Sequence, residues 1–367
     1  MRDNLLKKAD IRITDNNKLM VNPLDRETFA QEFYSRQVVM KELGWKGQRK
    51  LGKAKVAIVG IGGLGTNSAM YLALAGVGQI RLIDQDMVEM ANLHRQILYT
   101  TDDLHYPKVE AAARRLAKLN PLLKVDSVSE NLNAGNVERL LSGVDCVVDG
   151  LDNMSTRYLV NRACIKLGIT YIFGAAIGLE GNISVFSPPE TGCLECLLPN
   201  ISDSELMKCD TRGVVGATPG IIGAMQALEA LKVITGVGVP LKGKLLVCDF
   251  SDMSFAAIDI HKAANCKACK GVSASIVSRE KLVWLCGRET ANINPERQLK
   301  LNLDKIHREI TTRFNVRVKS HLAIVFDYEG SEVSLFTSGR MIIKNVKDED
   351  SAMRTYREIL NVLKITS

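Results

Sequence analysis

The chain has 367 residues, enough for two or three domains with a sizeable core, and its 46% hydrophobic and 24% charged residues are typical of a globular protein. No apolar run approaches the roughly 20 residues of a spanning helix and residues 1–8 lack a signal-peptide core, so we expect a cytoplasmic protein without membrane contacts. A net charge of +7 with only 5% aromatic residues argues against nucleic acid as a partner.

Residues 1–26 are polar and irregular, and residues 27–43 show a helical pattern that contains Arg36. The next predicted elements alternate between strands and helices, with strands at 56–59, 79–84, 125–129, 146–149 and 171–175 and helices after the first strand, at 108–119 and at 155–167. This alternation predicts an α/β fold with a doubly wound, Rossmann-like parallel sheet.

The pattern changes after residue 175, where strands at 182–186, 245–248 and 255–260 and an apolar helix at 219–235 favour an antiparallel extension of the sheet, which makes it mixed. Beyond residue 271 lies a small, separate α/β C-terminal domain. Its predicted elements are a strand at 282–285, a helix at 303–314, a hairpin of 322–327 with 332–336, a strand at 340–344 and a helix at 349–363.

A glycine-rich turn follows the first strand of the sheet. Gly60, Gly62 and Gly65 fit the G-x-G-x-x-G pattern, whose glycines allow a tight turn, close approach to phosphate and close helix packing. Asp84 ends the second strand, where an acid typically bonds a ribose hydroxyl. The pattern therefore predicts a nucleotide site, although dehydrogenases and flavoproteins share it.

Cations follow the second strand, and they distinguish among nucleotides. Arg95 and Lys108 are expected near the carboxyl ends of the strands. A nicotinamide cofactor needs no such cations, whereas the charge that develops on a cleaved triphosphate is stabilised by Arg, Lys and Mg²⁺. The sequence therefore favours a triphosphate.

Nine cysteines without a secretion signal indicate metal binding or reactive thiols rather than a disulfide framework. Two C-x₂-C pairs supply four thiolates, a set that suits one closed, structural Zn²⁺ site: Cys193, Cys196, Cys266 and Cys269. Separate redox pairs or reduced surface thiols are the alternatives. Cys209 lies in a polar loop between Lys208 and Arg212, surroundings that lower the pKa of a thiol.

Together, these motifs resemble the ThiF/MoeB family of E1-like adenylyltransferases over about residues 30–271, with the 92–96, 107–108, 150–153 and 212–216 segments in family order. The resemblance implies ATP-dependent adenylation of the C-terminal glycine of a small β-grasp protein ending in Gly-Gly, either a ubiquitin-like modifier or a sulfur carrier. ATP, Mg²⁺ and structural Zn²⁺ are the implied cofactors. The chain would be a homodimer, and an E2-like enzyme or a sulfurtransferase is a further candidate partner.

The resemblance also implies residue roles. Asp84 would bond the ribose, and Asp152 would bind Mg²⁺. Asn92, Arg95 and Lys108 would hold the triphosphate. Arg36 matches the arginine that reaches the ATP of the opposite subunit, and Cys209 matches a loop cysteine that forms a thioester or persulfide adduct with the carrier. The implied nucleotide-contacting residues are Gly60, Gly62, Gly63, Leu64, Gly65, Asp84, Asp86, Asn92, Arg95, Gln96, Lys108, Leu151, Asp152 and Asn153.

On this reading, residues 1–44 form an N-terminal extension with the helix of Arg36, residues 45–271 an adenylation domain with the zinc site, and residues 272–367 the C-terminal domain. Three alternatives stay open. They are a nicotinamide-dependent oxidoreductase, a non-catalytic E1-like subunit that only binds a partner, and a cyclising tRNA-modifying relative.

Overall fold

The computed structural model describes residues 12–13, 19–20, 23–203, 212–271, 282–285, 289–295, 297 and 299–365. Within these ranges, no helix combines the length and the apolar character needed to cross a membrane. The two large sheets have eight and six strands, and helices pack against each of them. A third sheet consists only of the antiparallel pair β1 (Arg12–Ile13) and β2 (Leu19–Met20).

The eight-stranded sheet carries the predicted nucleotide motif. Its strands are β3 (Lys55–Val59), β4 (Gln79–Ile83), β5 (Lys124–Val128), β6 (Cys146–Asp149), β7 (Thr170–Ile177), β8 (Glu180–Phe186), β9 (Lys244–Asp249) and β10 (Ser254–Asp259). Their spatial order is β10-β9-β8-β7-β6-β3-β4-β5. Strands β5, β4, β3, β6 and β7 run parallel, and β8, β9 and β10 are added antiparallel. The predicted mixed sheet with an antiparallel extension is confirmed.

Helices cover both faces of this sheet. They are α1 (Pro23–Phe33), α2 (Ser35–Val38), α3 (Gly44–Lys53), α4 (Gly63–Ala75), α5 (Lys108–Leu119), α6 (Val137–Leu141), α7 (Met154–Leu167), α8 (Leu194–Leu197) and α9 (Ala217–Thr235). In β3, Val56 and Ile58 join one core cluster while Ala57 and Val59 join the other. Because both faces are buried, the central strands are apolar at nearly every position.

The N-terminal region differs from the prediction of one helix over residues 27–43. The chain forms α1, α2 and α3 instead, and α1 begins at Pro23, inside the segment predicted to be irregular. Tyr34 interrupts the first two helices, with its side chain buried and its hydroxyl accepting a hydrogen bond from Asn120 at 2.8 Å. Gly44 begins α3 with a φ of +50°, which a continuous helix does not allow. Tertiary packing of Tyr34 therefore overrides the helical pattern.

Residues 282–365, here called the C-terminal module, form the antiparallel six-stranded sheet and two helices. The elements are β11 (Leu282–Leu285), β12 (Thr290–Ile293), α10 (Leu303–Ile310), β13 (Val316–Lys319), β14 (Ala323–Tyr328), β15 (Ser331–Phe336), β16 (Met341–Lys344) and α11 (Glu349–Val362). The sheet order is β11-β12-β16-β15-β14-β13. Sequence reasoning missed β12 and β13, which have only four residues each and include Asn292 and two basic residues.

Candidate active site

Two glycine turns meet at the carboxyl ends of β3 and β6, where the strand order of the parallel sheet reverses. Gly60 has a φ of +86°, and a Cβ atom on Gly65 would lie 1.9 Å from the Gly60 carbonyl oxygen. A Cβ atom on Gly150 would lie 2.1 Å from the same oxygen. Only glycine fits these positions. In open α/β sheets, this crevice at the switch point is the usual ligand site.

The Asp84 side chain fastens the end of β4 to the glycine turn. Its carboxylate accepts hydrogen bonds from the backbone N–H of Ile61 at 2.6 Å and of Asp86 at 2.7 Å. Burial raises the pKa of Asp84, although the nearby Lys108 opposes that shift. Each carboxylate oxygen has two lone pairs, so acceptor capacity remains for a ligand hydroxyl.

Lys108 begins α5 as a buried cation, with an exposed fraction of 6%. Its Nζ donates to the Asp86 carboxylate at 2.8 Å, and its backbone N–H donates to the Asp86 carbonyl oxygen at 2.9 Å. Burial lowers the pKa of Lys108, but Asp86 and Asp84 outweigh it, so the net shift is upward. Lys108 therefore keeps its positive charge at neutral pH.

The segment of residues 92–96 lies beside the glycine turn. Asn92 is buried and accepts from the Glu89 backbone N–H at 3.3 Å, and Arg95 donates to the Ala91 carbonyl oxygen at 2.7 Å. Gln96 is 3% exposed, and its Oε1 has no hydrogen-bond partner among the described residues. A Cβ atom on Gly62 would lie 3.8 Å from the Gln96 Nε2. A buried amide oxygen beside a glycine turn, without a partner among the described residues, fits a site for a polar ligand.

The turn after β6 carries Leu151, Asp152 and Asn153. Asp152 is exposed, and its Oδ1 accepts from the Asn153 side chain at 3.2 Å. Asn153 caps α7 by accepting from the Thr156 N–H at 2.9 Å. The Asp152 carboxylate contributes to the raised pKa of Lys108, so the two turns share one electrostatic environment.

A buried ion pair that sequence reasoning missed holds this turn to the end of β6. Asp149, fully buried, accepts from the Arg157 Nε at 3.0 Å and from the Tyr171 hydroxyl at 2.8 Å. The Arg157 Nη2 donates to the carbonyl oxygens of Leu151 at 2.7 Å and Gly174 at 2.8 Å. The sequence does carry a signal for this pair, because Asp149 ends an otherwise apolar strand. A buried acid of this kind needs a buried partner.

Arg36 does not lie at this site in its own chain. It is exposed, and it has no ion pair among the residues that the structure describes. The neighbouring Gln37 donates to the carbonyl oxygen of Ala75 at 2.9 Å, at the last residue of α4. The glycine turn lies at the opposite end, where α4 begins. The 13 residues of α4 span roughly 18–20 Å. One arginine side chain cannot bridge that distance.

The four predicted zinc ligands come together. All four Sγ atoms lie within 4.8 Å of one another. The Sγ–Sγ distances are 3.8 Å for Cys193–Cys196, 3.6 Å for Cys193–Cys266 and 3.6 Å for Cys196–Cys269. A Zn²⁺ tetrahedron with Zn–S bonds of about 2.3 Å has edges of about 3.8 Å. The interleaving of the two pairs fits one shared metal and argues against separate redox pairs.

Cys209 lies outside the described residues, which stop at 203 and resume at 212. Asp203, the last described residue before that gap, contacts the amino end of α7. Its carboxylate accepts from the Met154 N–H at 2.5 Å and from the Ser155 hydroxyl.

Comparisons with known proteins identify relatives for most of the chain. The sequence model described as the ThiF family matches residues 34–270. The sulfur carrier protein adenylyltransferase of Thermus thermophilus is 41% identical, over 64% of this chain and 89% of that protein. The sulfur carrier protein ThiS adenylyltransferase of Escherichia coli is 39% identical, over 66% of this chain and 97% of that protein. The crystal structure of Escherichia coli MccB with ATP has a TM-score of 0.56 and 27% identity, covering 61% of this chain and 68% of that one.

Proposed function

Since the chain belongs to the ThiF family, we propose that it is an E1-like adenylyltransferase that uses ATP to adenylate the C-terminal glycine of a small ubiquitin-like or sulfur-carrier protein. The observation that carries this proposal is the convergence of the glycine turn, Asp84 and the buried Lys108 at the switch point of the sheet. A nicotinamide-dependent oxidoreductase would not need the buried Lys108 beside Asp86. In addition, the named relatives are adenylyltransferases.

In the proposed reaction, the terminal carboxylate of the carrier forms a bond to the α-phosphorus of ATP, and the bond to pyrophosphate breaks. Because an anion must approach a polyanion, positive charge at the site lowers the barrier. Lys108 and Arg95 would supply that charge, and Asp84 would accept a ribose hydroxyl. Asp152 would hold Mg²⁺, which neutralises charge on the phosphate oxygens. The glycine turn would let backbone N–H groups approach the phosphates.

Arg36 would act on the site of the second subunit in a homodimer. Its position beyond the far end of α4 supports this role, because it rules out a contact with the nucleotide of its own chain. Apolar side chains close to it in sequence are exposed, namely those of Phe33, Val39, Met40 and Trp45. Exposed apolar side chains of this kind are typical of a surface that a partner covers.

The cysteine cluster would hold a structural Zn²⁺ ion. It joins the end of β8 to the segment after β10, and four protein ligands leave no open position for catalysis. Because all catalytic positions implied by the family are filled in this chain, a non-catalytic subunit is the weaker alternative. The complete cysteine set argues in the same way against a cyclising tRNA-modifying enzyme.

The named relatives act on sulfur carrier proteins, and we propose a partner of that class, with a β-grasp fold and a C-terminal Gly-Gly. Cys209 is the candidate for onward transfer, because a thiolate attacks an acyl phosphate readily and also leaves well. A further partner would then be either a sulfurtransferase, which supplies sulfur to the activated carrier, or an E2-like enzyme, which accepts the carrier itself.

ATP–pyrophosphate exchange tests the proposed function. Exchange should appear when the purified enzyme is mixed with a small β-grasp protein ending in Gly-Gly and disappear with the same protein lacking its last glycine. Lys108→Gln should abolish exchange. Cys209→Ser should keep exchange but lose any thiol-sensitive adduct with the carrier. Absence of exchange with every Gly-Gly carrier encoded beside this protein would refute the assignment.

A further inference from the structure

The segment of residues 84–88 contacts two different parts of the molecule with alternate residues. Asp84 and Asp86 bond Ile61 and Lys108 on the nucleotide side. Gln85 and Met87 contact the C-terminal module instead, and Met87 packs in an apolar cluster with Ala323, Val325, Phe336 and Ile342. Since neighbouring residues of an extended segment point to opposite sides, a shift of one side displaces the other.

Gln85 is held at two points by buried side chains of the module. Its carbonyl oxygen accepts from the Arg340 Nη2 at 2.8 Å, and its Oε1 accepts from the Asn292 Nδ2 at 2.7 Å. The Arg340 Nη2 also donates to the Ser129 hydroxyl at 3.1 Å, just after β5. Arg340 is 2% exposed. One guanidinium group therefore ties together the ends of β4 and β5.

The rest of the stretch from Asp84 to the first turn of α5 is joined to the module as well. Three further sets of polar contacts are Glu110 with the N–H groups of His321 and Leu322 (both 3.3 Å), Glu89 with Lys344 (3.1 Å), and His105 with Glu332 (3.1 Å). The stretch that carries Asp84, Asp86 and Lys108 thus has the nucleotide site on one side and the module on the other.

Arg340 also balances the negative charge of nearby carboxylates. Burial lowers the pKa of Arg340 to about 10, with Asp86, Asp84 and Glu130 opposing the shift, so the group is charged at neutral pH. Its guanidinium lies 3.7 Å from the centre of the Phe336 ring, and its Nε and Nη1 have no hydrogen-bond partner among the described residues. Unpaired buried nitrogens destabilise the fold, so stability alone does not explain this arginine. Without Arg340, an anionic triphosphate would approach the carboxylates of Asp84 and Asp86 with less positive charge nearby to balance them.

We propose that the C-terminal module supports one wall of the nucleotide site from behind and that Arg340, assisted by Asn292, is a positioning residue for ATP. By holding Gln85, it keeps Asp84 against the glycine turn and Asp86 on Lys108. This inference rests on the proposed use of ATP. The module lies beyond residue 270, where the family match ends, so the contribution belongs to this chain's own extension.

Calorimetric titration of the full-length enzyme with ATP and Mg²⁺, without a carrier, tests the inference. Arg340→Gln should raise the Kd for ATP about tenfold or more, because a charge-assisted hydrogen bond is lost at the segment that holds the nucleotide. Arg340→Lys should give an intermediate Kd, since lysine keeps the charge but not both bonds. A purely structural role would instead lower the number of binding sites per chain and leave the Kd of the folded fraction unchanged.

Arg308→Gln is the matched control, because Arg308 is exposed on α10 and, among the described residues, donates to the Asp304 carbonyl oxygen of the same helix at 3.3 Å, so the Kd should stay unchanged. If Arg340→Gln does not fold, Arg340→Lys decides, since it keeps the buried charge but cannot donate to both Gln85 and Ser129. An unchanged Kd in folded Arg340→Gln, or in Arg340→Lys when it is the deciding variant, would overturn the inference. A wild-type enzyme that binds no ATP would refute the proposed function itself.

Discussion

Replacing Arg157 with methionine should destabilise the protein strongly, because Arg157 is the only charged partner of the fully buried Asp149 among the described residues. The variant removes the 3.0 Å ion pair and leaves the carbonyl oxygens of Leu151 and Gly174 without this donor. Removing one member of a buried ion pair costs about 3–5 kcal/mol. At about 2–4 °C per kcal/mol for a domain of this size, the melting temperature should fall by roughly 6–20 °C.

The stability lost in Arg157→Met should also depend on pH, and the pKa of Asp149 sets the direction of that dependence. Burial already raises the pKa of Asp149, and Arg157 opposes that shift. In Arg157→Met, the folded-state pKa of Asp149 rises further above its unfolded value. A folded state that binds the proton more tightly loses stability as the pH rises through that raised pKa. The deficit of the variant should therefore be largest at neutral and alkaline pH and shrink on acidification.

Thermal unfolding monitored by circular dichroism measures both effects. Lys166→Met is the control on the same helix, because the Lys166–Glu138 pair is exposed and such pairs contribute about 0–1 kcal/mol. The double variant Asp149→Asn with Arg157→Met removes the unpaired buried carboxylate and should recover part of the lost melting temperature. Equal melting temperatures for Arg157→Met and Lys166→Met would refute this reasoning, as would a deficit that does not depend on pH.

Two further predictions concern the metal and the dimer. Elemental analysis should find about one zinc per chain, and none after the four cysteines are changed to serine; an unaltered metal content would discard the site at Cys193, Cys196, Cys266 and Cys269. Mixing inactive Arg36→Ala and Lys108→Ala subunits should restore exchange at about a quarter of the sites, or half if only mixed dimers form, because one site per mixed dimer is intact. No recovery would contradict the sharing of sites between subunits.

The local patterns of this sequence are strong where the chain repeats one periodicity or contains a rigid motif. The apolar strands around Ile58 and Val148 and the turn at Gly60 were predictable, because burial on both faces and a positive φ each constrain the residue type. Short elements such as β12 and β13 carry too few residues for a pattern. The helical pattern of residues 27–43 was misleading, because a buried Tyr34 interrupts it through contacts with distant residues.

The sequence by itself predicted the eight strands of the larger sheet, the glycine turn and the two C-x₂-C pairs, since each depends on spacing along a short stretch of chain. Only the tertiary structure decided which distant residues meet. Arg157 lies under the turn of Asp152, Arg340 holds Gln85, and Arg36 lies beyond the opposite end of α4. Such contacts arise from how whole elements pack, and packing leaves no periodic signal around the individual residues that it brings together.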